Sequence, residues 1–171
     1  MTDHGPLPDT HPHLREFPPF LDDLNRESER GAVLISVSYL ERQLKQIVSA
    51  FLCEGEASER LLEGFNAPLG TLAARAAAAT ALGLISAREY RELKTIRKIR
   101  NQFVHDHRTR FSDQSIVDRC RNLVLSAKNY CDVVVDSRGQ FTTAAVALIL
   151  NLTNRSHYVS EKRLKFENWP Y

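Results

Sequence analysis

Val33 to Phe51 reads VLISVSYLERQLKQIVSAF, and its apolar residues Val33, Val37, Leu40, Leu44, Ile47 and Phe51 fall at spacings of four and three. That period places them on one side of an α-helix, while Arg42, Gln43, Lys45 and Gln46 fill the other. The stripe is too short for a free coiled coil and predicts a helix packed in a bundle or along a dimer seam. Outward from it, the helical region runs from about Phe20 to Cys53, with a break expected near Gly31.

The remaining chain points the same way. Its 171 residues suit one domain with its own core. Five of seven prolines precede residue 20, and beyond them Ala, Leu, Arg and Glu dominate, all good helix formers. These features predict a flexible arm over 1–19, an all-α helical bundle over 20–160 and a charged tail over 161–171. A net charge of +2 does not mark a nucleic-acid binder, so only a local cluster of cations could serve that purpose. Cys53, Cys120 and Cys131 form no C-x-x-C pair, which suggests reduced thiols buried as small hydrophobes in a cytoplasmic protein. The start of the chain is no signal peptide, and the longest apolar run, Ala144 to Leu150, is too short to span a bilayer. His4, His11 and His13 in the arm make no closed ligand set, and no Gly-rich phosphate loop is present, so neither metal nor cofactor is expected.

Local signals divide the region after Cys53 into further helices. An acidic one is expected near Ser58 to Glu63, then a turn over Phe65 to Gly70 and an alanine-rich helix from about Thr71 to Leu82, stopped by Gly83. Ser86 and Glu89 form a capping box that opens a helix ending near His105. After a basic loop from Arg108 to Phe111, Ser112 should cap another helix carrying Ile116, Val117, Cys120, Leu123 and Val124. Val133 to Val135 suit a short extended piece or a helix end, and a last apolar helix is expected from about Thr142 to Asn154.

Chemistry concentrates at Ile96 to Asp106, IRKIRNQFVHD. Arg100 falls in the apolar register of Leu93, Ile96 and Phe103, where a guanidinium needs a carboxylate or phosphate partner. Glu27 or Glu41 could supply it and hold two helices in register; a ligand could supply it instead. Asn101 and His105, four apart, share the adjacent face, where His105 also suits the negative end of the helix dipole. His107 has no third ligand at a suitable spacing, so it does not suggest a metal site.

Five segments in order carry a resemblance: Glu27-Ser28-x-Arg30-Gly31, Ser38-Tyr39-Leu40-Glu41, Ala67-Pro68-Leu69-Gly70, Ala81-Leu82-Gly83-Leu84-Ile85 and Ile96 to His105. Together they resemble the mannitol operon repressor (MtlR) family over about Glu27 to Asp106. That resemblance implies a helical domain, self-association as a homodimer and transcriptional regulation, without a familiar DNA-reading motif. The Arg100-Asn101-x-x-x-His105 stretch is also similar to the motif of the HEPN helical superfamily, many of whose members are metal-independent ribonucleases. Under that resemblance His105 would move protons, Arg100 would stabilise phosphate charge and Asn101 would orient either, in a cleft shared by two chains.

No helix-turn-helix stands out. The best candidate is the turn at Gly83 with the Ser86 helix as reader, exposing Arg88, Arg91, Lys94, Arg97 and Lys98, offset by Glu89 and Glu92. Such a face holds phosphates without specifying bases. Arg91, Lys94, Lys98, Arg108 and Arg110 are the expected nucleic-acid contacts, for DNA or RNA. The remaining alternative is a non-catalytic module for a protein partner, in which Glu27, Glu41 and Arg100 are structural.

Overall fold

The computed structural model describes residues 14–170, so His4, His11, His13 and most of the expected arm lie outside the described residues. Helix α1 (Phe17–Arg26) carries Pro18 and Pro19 in its first turn, where the backbone N–H groups have no helical acceptor to lose. The boundary expected at residue 19 therefore falls inside a helix. Phe20 and Leu24 bury themselves from it, with the Phe20 ring 4.7 Å from that of Tyr39.

Helix α2 (Glu29–Phe51) starts on Ser28, whose Oγ accepts from the Gly31 N–H at 3.0 Å, a cap worth about 1 kcal/mol. The chain thus breaks three residues before Gly31. That glycine lies within the first turn, where a Cβ would collide with the Glu27 carboxylate. Helix α3 (Glu56–Leu62) is short and acidic at its start. Thr71 caps α4 (Leu72–Ala81) by accepting from the Ala74 N–H at 3.2 Å. Gly83, at φ +71°, ends it: its N–H donates to Thr80 O at 3.0 Å, and Leu84 N–H to Ala79 O at 2.8 Å.

Helix α5 (Ala87–His105) opens on the expected capping box, with Glu89 N–H donating to Ser86 Oγ at 3.2 Å and Ser86 N–H to Glu89 Oε2 at 2.7 Å. Helix α6 (Gln114–Arg121) starts one residue later than expected. Asp113, not Ser112, is its N-cap, and Asp113 Oδ2 closes the preceding turn by accepting from Arg110 N–H at 3.0 Å. It is also shorter than the apolar pattern suggested, so Val124 lies outside it and exposed while Leu123 stays buried. Helix α7 (Ser137–Leu152) begins five residues before Thr142, because Asp136 Oδ1 accepts from Gly139 N–H at 2.7 Å. Asn154, at φ +64°, turns the chain into α8 (Arg155–Ser160). Val133 joins no helix and makes an isolated antiparallel bridge with Tyr130.

The long helix α2 lies at the centre, touching α1, α3, α4, α5, α7 and α8. Its stripe from Val33 to Ile47 is buried within this one chain, and so is Gln43, expected on the solvent side. Gln43 Nε2 donates to Ile149 O at 3.2 Å and Thr153 Oγ1 at 3.0 Å. A stripe covered this way is not itself a dimer seam. Beside it, Phe103, Phe111 and Phe141 stack at 5.0 and 5.5 Å between centroids. Of the three thiols only Cys120 is buried; burial, with Asp136 adding, pushes it up to about 12, while Cys53 is half-buried and Cys131 exposed.

Charged side chains join the helices through backbone atoms. Arg75, 9% exposed within the alanine-rich α4, donates to Leu69 O at 2.8 Å and Leu62 O at 3.0 Å. Arg30 of α2 donates to Phe103 O and, at 2.9 Å, to Asp106 O, capping carbonyls that the end of α5 leaves free. Glu92, 1% exposed, accepts from Val124 N–H at 3.0 Å and Leu125 N–H at 2.9 Å. Glu92→Ala should cost about 2–4 kcal/mol in urea unfolding, because two half-buried N–H groups lose a charged acceptor. Glu92→Gln, keeping one acceptor oxygen, should lose roughly half of that. A loss under about 0.5 kcal/mol would mean that water replaces the carboxylate.

Candidate functional site

Cations recur every third residue along α5: Arg88, Arg91, Lys94, Arg97 and Arg100. Each step of three turns the helix by about 300°, so the row drifts around the axis. Its first three members are exposed, and its last two are half-buried where the row descends toward α2 and α4. Lys98 is exposed on the same side as Arg91 and Lys94, these three lying within an arc of about 60°. Lys94 also lies 5.5 Å from the centre of the Tyr90 ring.

The expected offset by Glu89 and Glu92 is absent, because both carboxylates turn inward. Glu92 is held by the two N–H groups after α6, and Glu89 by Ser86 and by Arg155 Nη2 at 2.9 Å. No other acidic residue occurs between Ala87 and His105, so the charged side chains on the solvent side of α5 are all basic. Burial by itself pushes the Glu89 carboxyl up, but the Ser86 bonds and the Arg155 guanidinium together outweigh it and hold it below the usual carboxylate value.

Arg108 and Arg110 are exposed beyond the end of α5. They belong to the loop after α5, where Arg108 N–H donates to Asp106 Oδ1 at 2.9 Å and the Arg110 guanidinium folds onto Thr109 O at 3.1 Å. Arg119, from α6, borders the row and donates to Gln102 Oε1 and to Lys98 O at 3.3 Å.

Arg100 forms no ion pair with Glu27 or Glu41. Its one hydrogen bond among the described residues goes to Asn101 Oδ1 at 3.2 Å. Glu41 Oε1 instead accepts from Leu72 N–H at 2.9 Å, and the Glu27 carboxylate lies over Gly31. The buried register of α5 runs through Ile96, Ile99 and Phe103, which leaves Arg100 at its edge. Arg30, not Arg100, ties α2 to α5. Its place in the Glu27-to-Gly31 segment was the signal available for it, whereas nothing in the alanine run announces that Arg75 is buried.

The HEPN-like residues divide between two grooves. Arg100 and Asn101 line a cleft with Arg97, Glu41 and the start of α4. His105, exposed at the end of α5, lines another with Asn101, Asp106 and Arg119. Five residues place Arg100 and His105 about 140° apart around the helix, so one chain by itself does not bring them together. Among the described residues no three His, Cys, Asp or Glu side chains converge on a metal site.

Two measurements follow from this arrangement. Arg100→Ala should change unfolding free energy by no more than about 0.5 kcal/mol, as for a surface substitution; a loss of about 3–5 kcal/mol would reveal a buried partner. Glu89 titrates below its ordinary value of 4.5 in the folded chain. Its contribution is therefore complete above that value and lost as pH falls through the folded pKa. The stability gap between the native chain and Glu89→Gln should thus be open at neutral pH and close as pH falls through the lowered folded pKa. A gap unchanged between pH 7 and pH 3 would contradict the ionised pairing with Arg155.

The helical arrangement matches that of a solved protein, the Escherichia coli MtlR in the X-ray structure of the MtlR-HPr complex, with a TM-score of 0.59. The two chains share 24% identity, and the match covers 84% of this chain and 97% of the other. Comparison with curated proteins gives no match. No helix among the described residues is long and apolar enough to cross a membrane. A family profile described as mannitol repressor matches residues 20–155, most of the chain, and the protein belongs to that family, MtlR.

Proposed function

We propose that this MtlR-family protein regulates transcription by binding, with the cationic side of α5 laid along the phosphates of duplex DNA. One observation carries the reading: α5 turns both its carboxylates inward, leaving Arg88, Arg91, Lys94 and Lys98 on an outer face free of opposing charge from the helix itself. From Arg88 to Lys98 the helix rises about 15 Å, a length over which one strand of a duplex carries roughly four phosphate charges. Arg108 and Arg110 would add contacts from the neighbouring loop. Such contacts fix position without reading bases, in keeping with the lack of a recognisable reading helix in the sequence. A cytoplasmic site of action fits this role and the free thiols of Cys53, Cys120 and Cys131.

A second reading draws on the E. coli protein of the same fold, which was solved in complex with HPr. The α5 face could equally meet an acidic patch on a protein partner, with regulation passed through that contact. A homodimer would have to form through some surface other than the stripe of α2, which its own chain covers.

Gel shifts on the DNA upstream of its gene separate these readings. Retardation at low salt should weaken steeply as salt rises, with a log–log slope near −0.9 for each phosphate neutralised. The double variant Arg91→Glu/Lys94→Glu should lower affinity at least about tenfold for every duplex alike, since it removes phosphate contacts only. No retardation at low salt would overturn direct DNA binding. Retention of a protein partner by the native chain but not by the double variant would then support the second reading.

A further inference from the structure

We propose that the cleft between α2, the start of α4 and the far end of the α5 row binds a small phosphate-bearing anion. Arg97 and Arg100 both line it, three residues apart on one helix. Like charges at that spacing repel, and half-burial deprives both of part of their water. Among the described residues neither meets a carboxylate within ion-pair distance, and Arg100 bonds only to Asn101 Oδ1. Two guanidinia converging on one space are therefore left for a ligand to satisfy.

The rest of the lining narrows the ligand class. Glu41 supplies the only carboxylate, and its Oε1 is held by Leu72 N–H at 2.9 Å. With the two arginines, the lining keeps a net positive charge. Of the first N–H groups of α4, Leu72 is engaged by Glu41 and Ala74 by Thr71 Oγ1, so the guanidinia, with at most Ala73 N–H beside them, would carry the anion. Asn101, whose Oδ1 accepts from Arg100, keeps its amide N–H₂ for donation, and Thr71 offers a hydroxyl. Two forked guanidinia, an amide and a hydroxyl exceed what a carboxylate can accept and suit the three oxygens and double charge of a phosphate. The cleft has a volume of about 280 Å³, which admits a small molecule but not a macromolecule. Arg88, Arg91 and Lys94 lead along the helix toward it and would raise the local concentration of anions. This site is distinct from the outer face proposed for DNA and stands or falls separately.

Titration calorimetry on the full chain tests it, with inorganic phosphate and glycerol phosphate as probes and acetate as the control. Saturable binding of one phosphate probe per chain is expected, with acetate at least about tenfold weaker. Arg97→Ala and Arg100→Ala should each weaken the phosphate probe at least about tenfold, and Arg100→Lys should lose the forked contact and fall between. Arg88→Ala, on the exposed start of the row, should change affinity less than about twofold in moderate salt. Tighter binding of glycerol phosphate than of inorganic phosphate would identify a phosphate monoester as the occupant, and the reverse order the free ion. Melting curves check that each variant folds. No saturable heat with either phosphate probe at millimolar concentration, or native affinity in folded Arg97→Ala and Arg100→Ala, would overturn the proposal.

Discussion

Glu89 and Glu92 each commit both carboxylate oxygens inside the bundle, and the orientation of α5 follows from those bonds. Glu89 joins Ser86 N–H to the Arg155 guanidinium. Glu92 joins the N–H groups of Val124 and Leu125. A helix carrying Ile96, Ile99 and Phe103 would bury an apolar side in any case, but two fixed carboxylates on that side set its rotation tightly. Rotating it outward would strand charged oxygens or their donors, a penalty larger than that of losing a surface contact. The cationic outer face of α5 is the direct consequence.

Arginines act as the complementary ties. Arg30, Arg75 and Arg155 each donate to backbone carbonyls of other segments, including those at the end of α5, around the turn before α4 and at Leu84. A guanidinium suits this task because its five N–H groups, held on one rigid plane, reach several carbonyls in fixed directions. Local caps settle where each helix starts, and these longer arms settle how the helices sit against one another. Arg97 and Arg100 lack such engagements, which is why they stand out as ligand-facing.

The same geometry separates two chemistries that look continuous along the chain. Arg100 opens toward α4, and His105 opens toward α6, with Asn101 on the rim of both grooves. Each groove can therefore act alone, one as an anion cleft and the other as a polar edge of the outer face.

Much of this was legible in the sequence because it is local. The capping box at Ser86, the Thr71 start, the Gly83 stop and the period of Val33 to Ile47 each depend on residues a few positions apart, and each appears in the fold. The order of five short segments was enough to indicate the MtlR family. What tertiary structure decided were the partners. Arg100 looked buried by register, yet Arg75 is the buried arginine; Glu89 and Glu92 looked exposed, yet both lie inside. Gln43 looked solvent-facing until α7 supplied Ile149 O as its acceptor. Helical period assigns a side chain to a sector of the helix, but polar groups at the sector's edge go wherever a distant chain segment offers a donor or acceptor. Those segments lie 66 residues away for Glu89 and Arg155 and 106 for Gln43 and Ile149, distances that no local pattern encodes.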